Sequence, residues 1–256
     1  MLDHKAADAL LQQWKREESE PFAGWDFAHI TGRCVEAQPP WSYMGMAREL
    51  MLSSKAVLDI GTGGGERLLE LKDCFPKRVA ATEGYPPNYE LARRRLSPHG
   101  VEVVEAEESL KAKLPFSDGE FDLVIDRHSA YNASEVARVL KHRGVFLTEQ
   151  VDGTSLTDLH REFGCEPQWP FFNLDYALGL IKLAGLVVVD AREWEGKTVF
   201  RDVGALVYFL KAIPWIVPGF TVDTYFKQLL KLQEQIKKEG QLTFTERLLL
   251  VKARKP

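Results

Sequence analysis

Only three cysteines, Cys34, Cys74 and Cys165, occur in 256 residues, and no two of them stand at C-x-x-C spacing. A disulfide framework and a zinc knuckle are excluded, no resident metal is expected, and a reducing compartment, the cytoplasm, is the natural setting. Long apolar runs are also missing, since nothing approaches the roughly 18 residues that a membrane-spanning helix requires. The first twenty residues are charged throughout and hold no apolar stretch, so no signal peptide is expected. Nor does one sign of charge dominate: 33 Lys and Arg against 37 Asp and Glu leave a formal charge of −4. Such a chain does not concentrate polyphosphate around itself, which argues against nucleic acid as the main partner. No internal repeat is visible.

What the chain does contain is the balance of an ordinary globule, 45% hydrophobic and 27% charged. Its length suits one α/β core with additional covering segments. Residues 4–18 place Ala7, Leu10, Leu11 and Trp14 on one helical face. The aromatic-rich stretch from Pro21 to Met46 has no clean period and reads as an ordered cover. From Ala56 onward, apolar runs at 56–60, 78–83, 101–106, 121–126, 144–151 and 186–191 alternate with helical stretches at 66–72, 88–96, 134–141 and 174–184. That alternation predicts a doubly wound sheet of parallel strands, with Gly144 and Gly185 capping the last two helices. A helix over about 222–238 and a final strand over 242–254 close the chain. The expected organisation is a cover segment at 1–50 and a ligand-binding domain at 51–256, interrupted by an insert at about 195–240. Residues 225–256 carry eight Lys/Arg against three Asp/Glu, a basic stretch on an acidic body.

The strongest local signal is VLDIGTGGGERLLEL, residues 57–71. A buried strand ends at Asp59, the chain turns through Gly61, Thr62, Gly63 and Gly65, and a helix starts near Glu66. Glycines let the backbone approach a ligand and present N–H groups to it. A dinucleotide loop requires a small residue at its sixth position, and Glu66 stands there. Twenty-two residues beyond Gly61, Glu83 ends the next strand, where an acidic side chain can accept two ribose hydroxyls. The segment LPFSDGEFDLVIDRHSAY, 114–131, leads into another buried strand and leaves Asp126, Arg127, His128 and Ser129 at its carboxyl end, the ligand end of such sheets. Asp122 reads as structural.

The D-x-G-x-G-x-G pattern of Asp59–Gly65, Glu83 and the L-P-F-x-D-x-x-F-D run together resemble the class I S-adenosylmethionine-dependent methyltransferases, over roughly two-fifths of the chain. The helix and turn at 135–147 resemble theirs as well, with His142 and Arg143 where Pro and Gly are usual. The resemblance implies a Rossmann-like α/β fold with a seven-stranded sheet in the order 3-2-1-4-5-7-6, its last strand antiparallel. It implies S-adenosyl-L-methionine as cofactor, held by Asp59, Gly61, Thr62, Gly63, Gly65, Glu83, Asp126 and Arg127. An acidic side chain from VVEAEESL is expected on the adenine, with Glu105, Glu107 and Glu108 competing and Glu107 favoured. His128 is the first choice for a general base; His29 is a poorer one, and the remaining four histidines read as surface. Trp41, Tyr43, Trp169, Phe172, Tyr208 and Trp215 are the expected lining of a site for a small hydrophobic or planar methyl acceptor. The core is similar to the rRNA guanine methyltransferases too, though without their four-cysteine zinc module, so an RNA base is the alternative acceptor. A non-catalytic protein that binds the cofactor as a partner is the third reading.

Overall fold

The run Ala56–Ile60 is buried at all five positions because strands press on both its edges and helices on both its faces. It is β2 of a computed structural model that describes residues 4–256. In chain order the elements are α1 (His4–Ser19), β1 (Cys34–Glu36), α2 (Tyr43–Leu52), β2, α3 (Glu66–Leu69), β3 (Arg78–Glu83), α4 (Pro86–Leu96), β4 (Val101–Glu105), β5 (Phe121–Arg127) and α5 (Ala133–Val139). There follow β6 (Leu140–Val151), α6 (Thr157–Glu162), α7 (Leu174–Leu183), β7 (Val187–Phe200), α8 (Val203–Ala212), α9 (Val222–Glu239) and β8 (Leu242–Arg254).

The eight strands form one sheet in the order β1-β7-β8-β6-β5-β2-β3-β4. Strands β4, β3, β2, β5 and β6 are parallel, with Leu58 opposite Ala80 on one side and Val124 on the other. β8 runs antiparallel between β6 and β7. The seven expected strands thus keep their order, and an eighth is added: β1 pairs antiparallel with the end of β7, Cys34 opposite Phe200. Three residues between proline- and glycine-rich neighbours are too few to show alternation in sequence. β7 also continues to Phe200 rather than ending near Ala191, so residues 195–200 belong to the sheet and not to the insert. Polar residues fill that half-exposed stretch, which hid its extended conformation.

Two turns differ from expectation. α5 ends at Val139 and β6 starts at once; Arg143 takes the left-handed turn at φ +63°. Gly144 does not cap the helix. It is needed for close packing, since a Cβ there would lie 2.8 Å from the Lys141 carbonyl oxygen. α3 is four residues long, shorter than the helix expected over 66–72.

Helices cover the sheet in three packed groups. α2, α3 and α4 pack with Val57, Leu123 and Leu147 on one face, while α5 and α7 pack with Leu58, Val124 and Leu249 on the other. The third group joins α1 to α8 and α9 beside β7 and β8, with Trp14 buried at its centre, 5.8 Å from Phe226. Truncating a buried tryptophan costs about 3–5 kcal/mol, so α1 is an integral part of this group rather than a loose arm. No helix among the described residues is long and apolar enough to cross a membrane.

Candidate active site

β2, β3, β5 and β6 all deliver polar residues to the same edge of the sheet. After β2 the chain turns at Gly61 (φ +65°) and Gly63 (φ +61°), a left-handed backbone that favours glycine. Both positions are also crowded: a Cβ on Gly61 would stand 2.2 Å from the Ser129 side chain, and one on Gly63 would stand 2.4 Å from Cδ1 of Trp25. Thr62 N–H donates to Thr82 O at 2.9 Å, tying the loop to β3. Glu66 is held by Arg95, whose guanidinium also donates to Gly64 O at 3.1 Å. The loop therefore ends on a pinned carboxylate and a one-turn helix, a poor seat for a diphosphate.

Four carboxyl groups surround this loop. Asp59, Glu83 and Asp126 are 8%, 4% and 0% exposed. Glu108 reaches in from beyond β4, accepting from Gly84 N–H at 2.9 Å and from Ser129 Oγ at 2.7 Å. Glu83 accepts from Tyr85 N–H at 2.8 Å. Asp126 Oδ1 accepts from Thr148 Oγ1 at 3.2 Å and from the Gln150 amide, while its buried Oδ2 has no partner. Burial, together with the charge of Glu108, pushes Asp59 and Glu83 up to about 7. Burial and the charges of Asp59 and Glu108 raise Asp126 well above the carboxylate range. Among the described residues, no Lys or Arg forms an ion pair with any of the four. The buried Tyr43 hydroxyl, in the field of Asp59 and Asp126, also lacks a partner. The arrangement is short of a cation.

A second acidic corner lies on β6, the strand beside β5. Glu149 accepts from Trp41 Nε1 at 2.7 Å and from Arg127 Nε at 2.8 Å. His128 Nε2 stands 3.6 Å from its Oε1, close enough for charge attraction but too far for a hydrogen bond. Burial alone would raise Glu149, but His128, Arg127 and Trp41 together hold it at about 2. His128 sits at φ +61°, a strained backbone for a residue with a Cβ. Burial and the neighbouring Arg127 push its imidazole below the ordinary histidine value, so it is neutral near pH 7.

The structure gathers Asp59, Gly61, Thr62, Gly63, Gly65, Glu83 and Asp126 around the loop, with Tyr43 beside them. Arg127 is drawn away from them to Glu149. Glu107 is exposed, and it is Glu108 that turns inward. Trp41 joins the Glu149 corner and forms one wall of a groove of about 600 Å³ that runs between α2 and β7–β8. Trp215 reaches the loop through Trp25, 5.9 Å between ring centres, and Tyr208 reaches it through Phe22. Trp169 and Phe172 lie in the turn packed on Gly153, where Gly153 N–H donates to Phe172 O. His29 is bound to Glu17 at 2.7 Å and packs at a tilt against Tyr208, ring centres 4.7 Å apart. Of the histidines read as surface, His160 is 5% exposed and faces Cys165, while the side chain of His4 lies outside the described residues.

Glu149 and Gln150 escaped the sequence reading. Their signal was present in three consecutive polar residues, Thr148, Glu149 and Gln150, within the otherwise apolar run 144–151. Among the described residues no group of three or more His, Cys, Asp or Glu side chains is placed to hold a metal ion.

A family model described as a methyltransferase domain matches residues 57–144. An uncharacterised methyltransferase of Bacillus subtilis strain 168, YcgJ, is 34% identical over 98 residues, 36% of this chain and 38% of that protein. The demethylmenaquinone methyltransferase of Thermus thermophilus is 33% identical over 101 residues, 39% of this chain and 46% of that protein. The match thus spans less than half the length of either relative. Among solved structures, a Bacillus halodurans protein described as a methyltransferase shares the fold at TM-score 0.60 and 20% identity, covering 83% of this chain and 97% of its own. Residues 57–144 thus match a methyltransferase domain, and the α/β fold is shared with the Bacillus halodurans structure.

Proposed function

We propose that this protein transfers the methyl group of S-adenosyl-L-methionine to a small-molecule acceptor. The observation that carries the reading is the ring of Asp59, Glu83, Glu108 and Asp126 around a glycine loop, four carboxyls with which no Lys or Arg among the described residues forms an ion pair. A diphosphate would be repelled there. A ligand carrying an ammonium and a sulfonium would be attracted, and its two ribose hydroxyls match the acceptor oxygens of Glu83. Hydrogen bonds to a charged acceptor contribute about 1.5–3 kcal/mol each. Asp59, Asp126 and the Tyr43 hydroxyl are placed for the ammonium end, and Gly61 and Gly63 give the amino-acid end close access to backbone. Glu108 replaces Glu107 as the acidic side chain turned toward the nucleoside. Arg127, held by Glu149, is left out of the donor site.

When bound, S-adenosyl-L-methionine supplies a methyl group already activated for displacement. The chain's own task is to align the acceptor with it and exclude water, and such positioning can lower a barrier by up to about 7–11 kcal/mol. Trp25, resting on Gly63, begins an aromatic layer that continues through Phe22, Phe27, Tyr208 and Trp215. That layer suits an apolar or planar acceptor, and the Thermus relative is named for a quinone substrate. Neutral His128 is placed to take a proton from an acceptor hydroxyl or thiol, and Glu149 stabilises the imidazolium that results. Three of the eight basic residues of the C-terminal stretch are already engaged within the chain, Arg247 with Glu195, Lys237 with Glu234 and Lys255 with the Leu140 carbonyl, which weakens the case for an RNA acceptor. Equilibrium binding of S-adenosyl-L-methionine, followed by a screen of small quinones, phenols and thiols for transfer of a labelled methyl group, tests the proposal. Absence of cofactor binding would refute it.

A further inference from the structure

β7 is the second strand from the sheet edge by order, yet most of its outer side is bare. β1 covers only Thr198–Phe200, with two further bonds, from Ala37 N–H to Lys197 O at 2.9 Å and from Arg201 N–H to Arg33 O at 2.8 Å. Among the described residues no strand lies outside Val187–Gly196. The Lys197 carbonyl and the Arg201 N–H both point outward, so in this regular stretch the odd-numbered Ala191, Glu193 and Glu195 also turn their N–H and C=O groups to the open side. An unpaired edge of this kind is a template for another strand unless its charges forbid pairing.

Here the charges select a partner. When a strand pairs antiparallel with its own copy, outward-facing residues must meet outward-facing residues, so the two-fold axis falls on a residue. Centred on Asp190, Arg192 or Glu193, that pairing sets a charge against itself; centred on Trp194, it sets Glu193 against Glu195. Centred on Ala191, it places Asp190 opposite Arg192 twice, with only small methyl groups at the axis. Within one chain these two side chains already pair, at 2.6 Å, on one face of β7.

We propose that the open edge of β7 is a homodimer interface, with two copies joined antiparallel about Ala191 into one continuous sheet. Opposite charges across strands favour the register and like charges oppose it. The inference is independent of the reading of the active site. Light scattering during gel filtration at about 50 µM should give the mass of a dimer for the native chain. Arg192→Asp, which sets four carboxylates together, should weaken association at least about tenfold, and Asp190→Arg combined with Arg192→Asp should restore it. Circular dichroism of each variant confirms that the fold is retained. A monomeric native chain, an Arg192→Asp variant that associates like the native one, or a folded double variant that stays monomeric would each overturn the proposal.

Discussion

Glu83 and Glu149 are both buried on parallel strands of one sheet, toward the same edge, yet one is pushed up to about 7 and the other held at about 2. The difference lies in what stands beside them. Glu149 has Arg127, Trp41 and His128, all from the chain itself. Glu83 has backbone N–H groups and the like charge of Glu108. One carboxylate is complete within the fold, where it anchors the cover segment to the sheet through Trp41. The other belongs to a group that is complete only with a cation from outside. A buried charge that the fold satisfies is architecture; one that the fold leaves unsatisfied points to a ligand.

The comparison can be broken most severely at Glu149. Glu149→Ala should lower stability by about 3 kcal/mol, because Trp41 Nε1 and Arg127 lose their acceptor together. Thermal unfolding measures this, and a loss of only a few tenths would mean that the corner is not an anchor. His128→Gln comes next: turnover of an accepted hydroxyl or thiol substrate should fall about a hundredfold, with cofactor affinity unchanged. Equal turnover in the variant would remove the base assignment. Glu83→Gln should do the opposite of Glu149→Ala. It should weaken S-adenosyl-L-methionine binding about tenfold, while raising the melting temperature of the ligand-free protein by a few degrees at about pH 8. A drop in both would place Glu83 among the structural carboxylates.

The smallest effect is graded with pH. Asp59 and Glu83, and also Glu246 on β8, are held above their unfolded values by burial. The stability they contribute is present below about pH 4 and is lost as pH rises through about 7. Glu149 contributes in the other direction, and its share is lost only as pH falls toward about 2. The ligand-free protein should therefore melt higher at about pH 5.5 than at about pH 8, whereas cofactor affinity should rise over that interval as the carboxyls ionise. Differential scanning fluorimetry with and without ligand reads both slopes.

The half of the molecule around β2–β5 was legible in sequence because buried parallel strands are continuous apolar runs and a glycine loop is conspicuous between them. The other half was legible only in part: α1, α7, α9 and β8 match their expected ranges, but β1, α2 and the second half of β7 did not show. β1 is three residues long, β7 is half exposed and polar, and α2 begins at Tyr43 inside a segment whose aromatics suggested only a cover. The same divide runs through the site. Asp59, Glu83 and Asp126 end apolar strands and stood out. Glu108 was one of three neighbouring acids, and only the fold decides which of them turns inward. Glu149 lies before the end of its strand, and its partners come from Trp41, 108 residues earlier, and from Arg127. Trp169 and Phe172 were plausible by composition; the structure packs them in the turn on Gly153, with Phe172 beside Tyr176.

The measurement that bears most directly on the central claim is calorimetric titration near neutral pH in buffers of different ionisation heat. If the loop carboxyls are waiting for a cation, S-adenosyl-L-methionine binds with net release of protons and NAD⁺ gives no heat of binding. Tight binding of NAD⁺, or S-adenosyl-L-methionine binding with no proton release, would contradict the account.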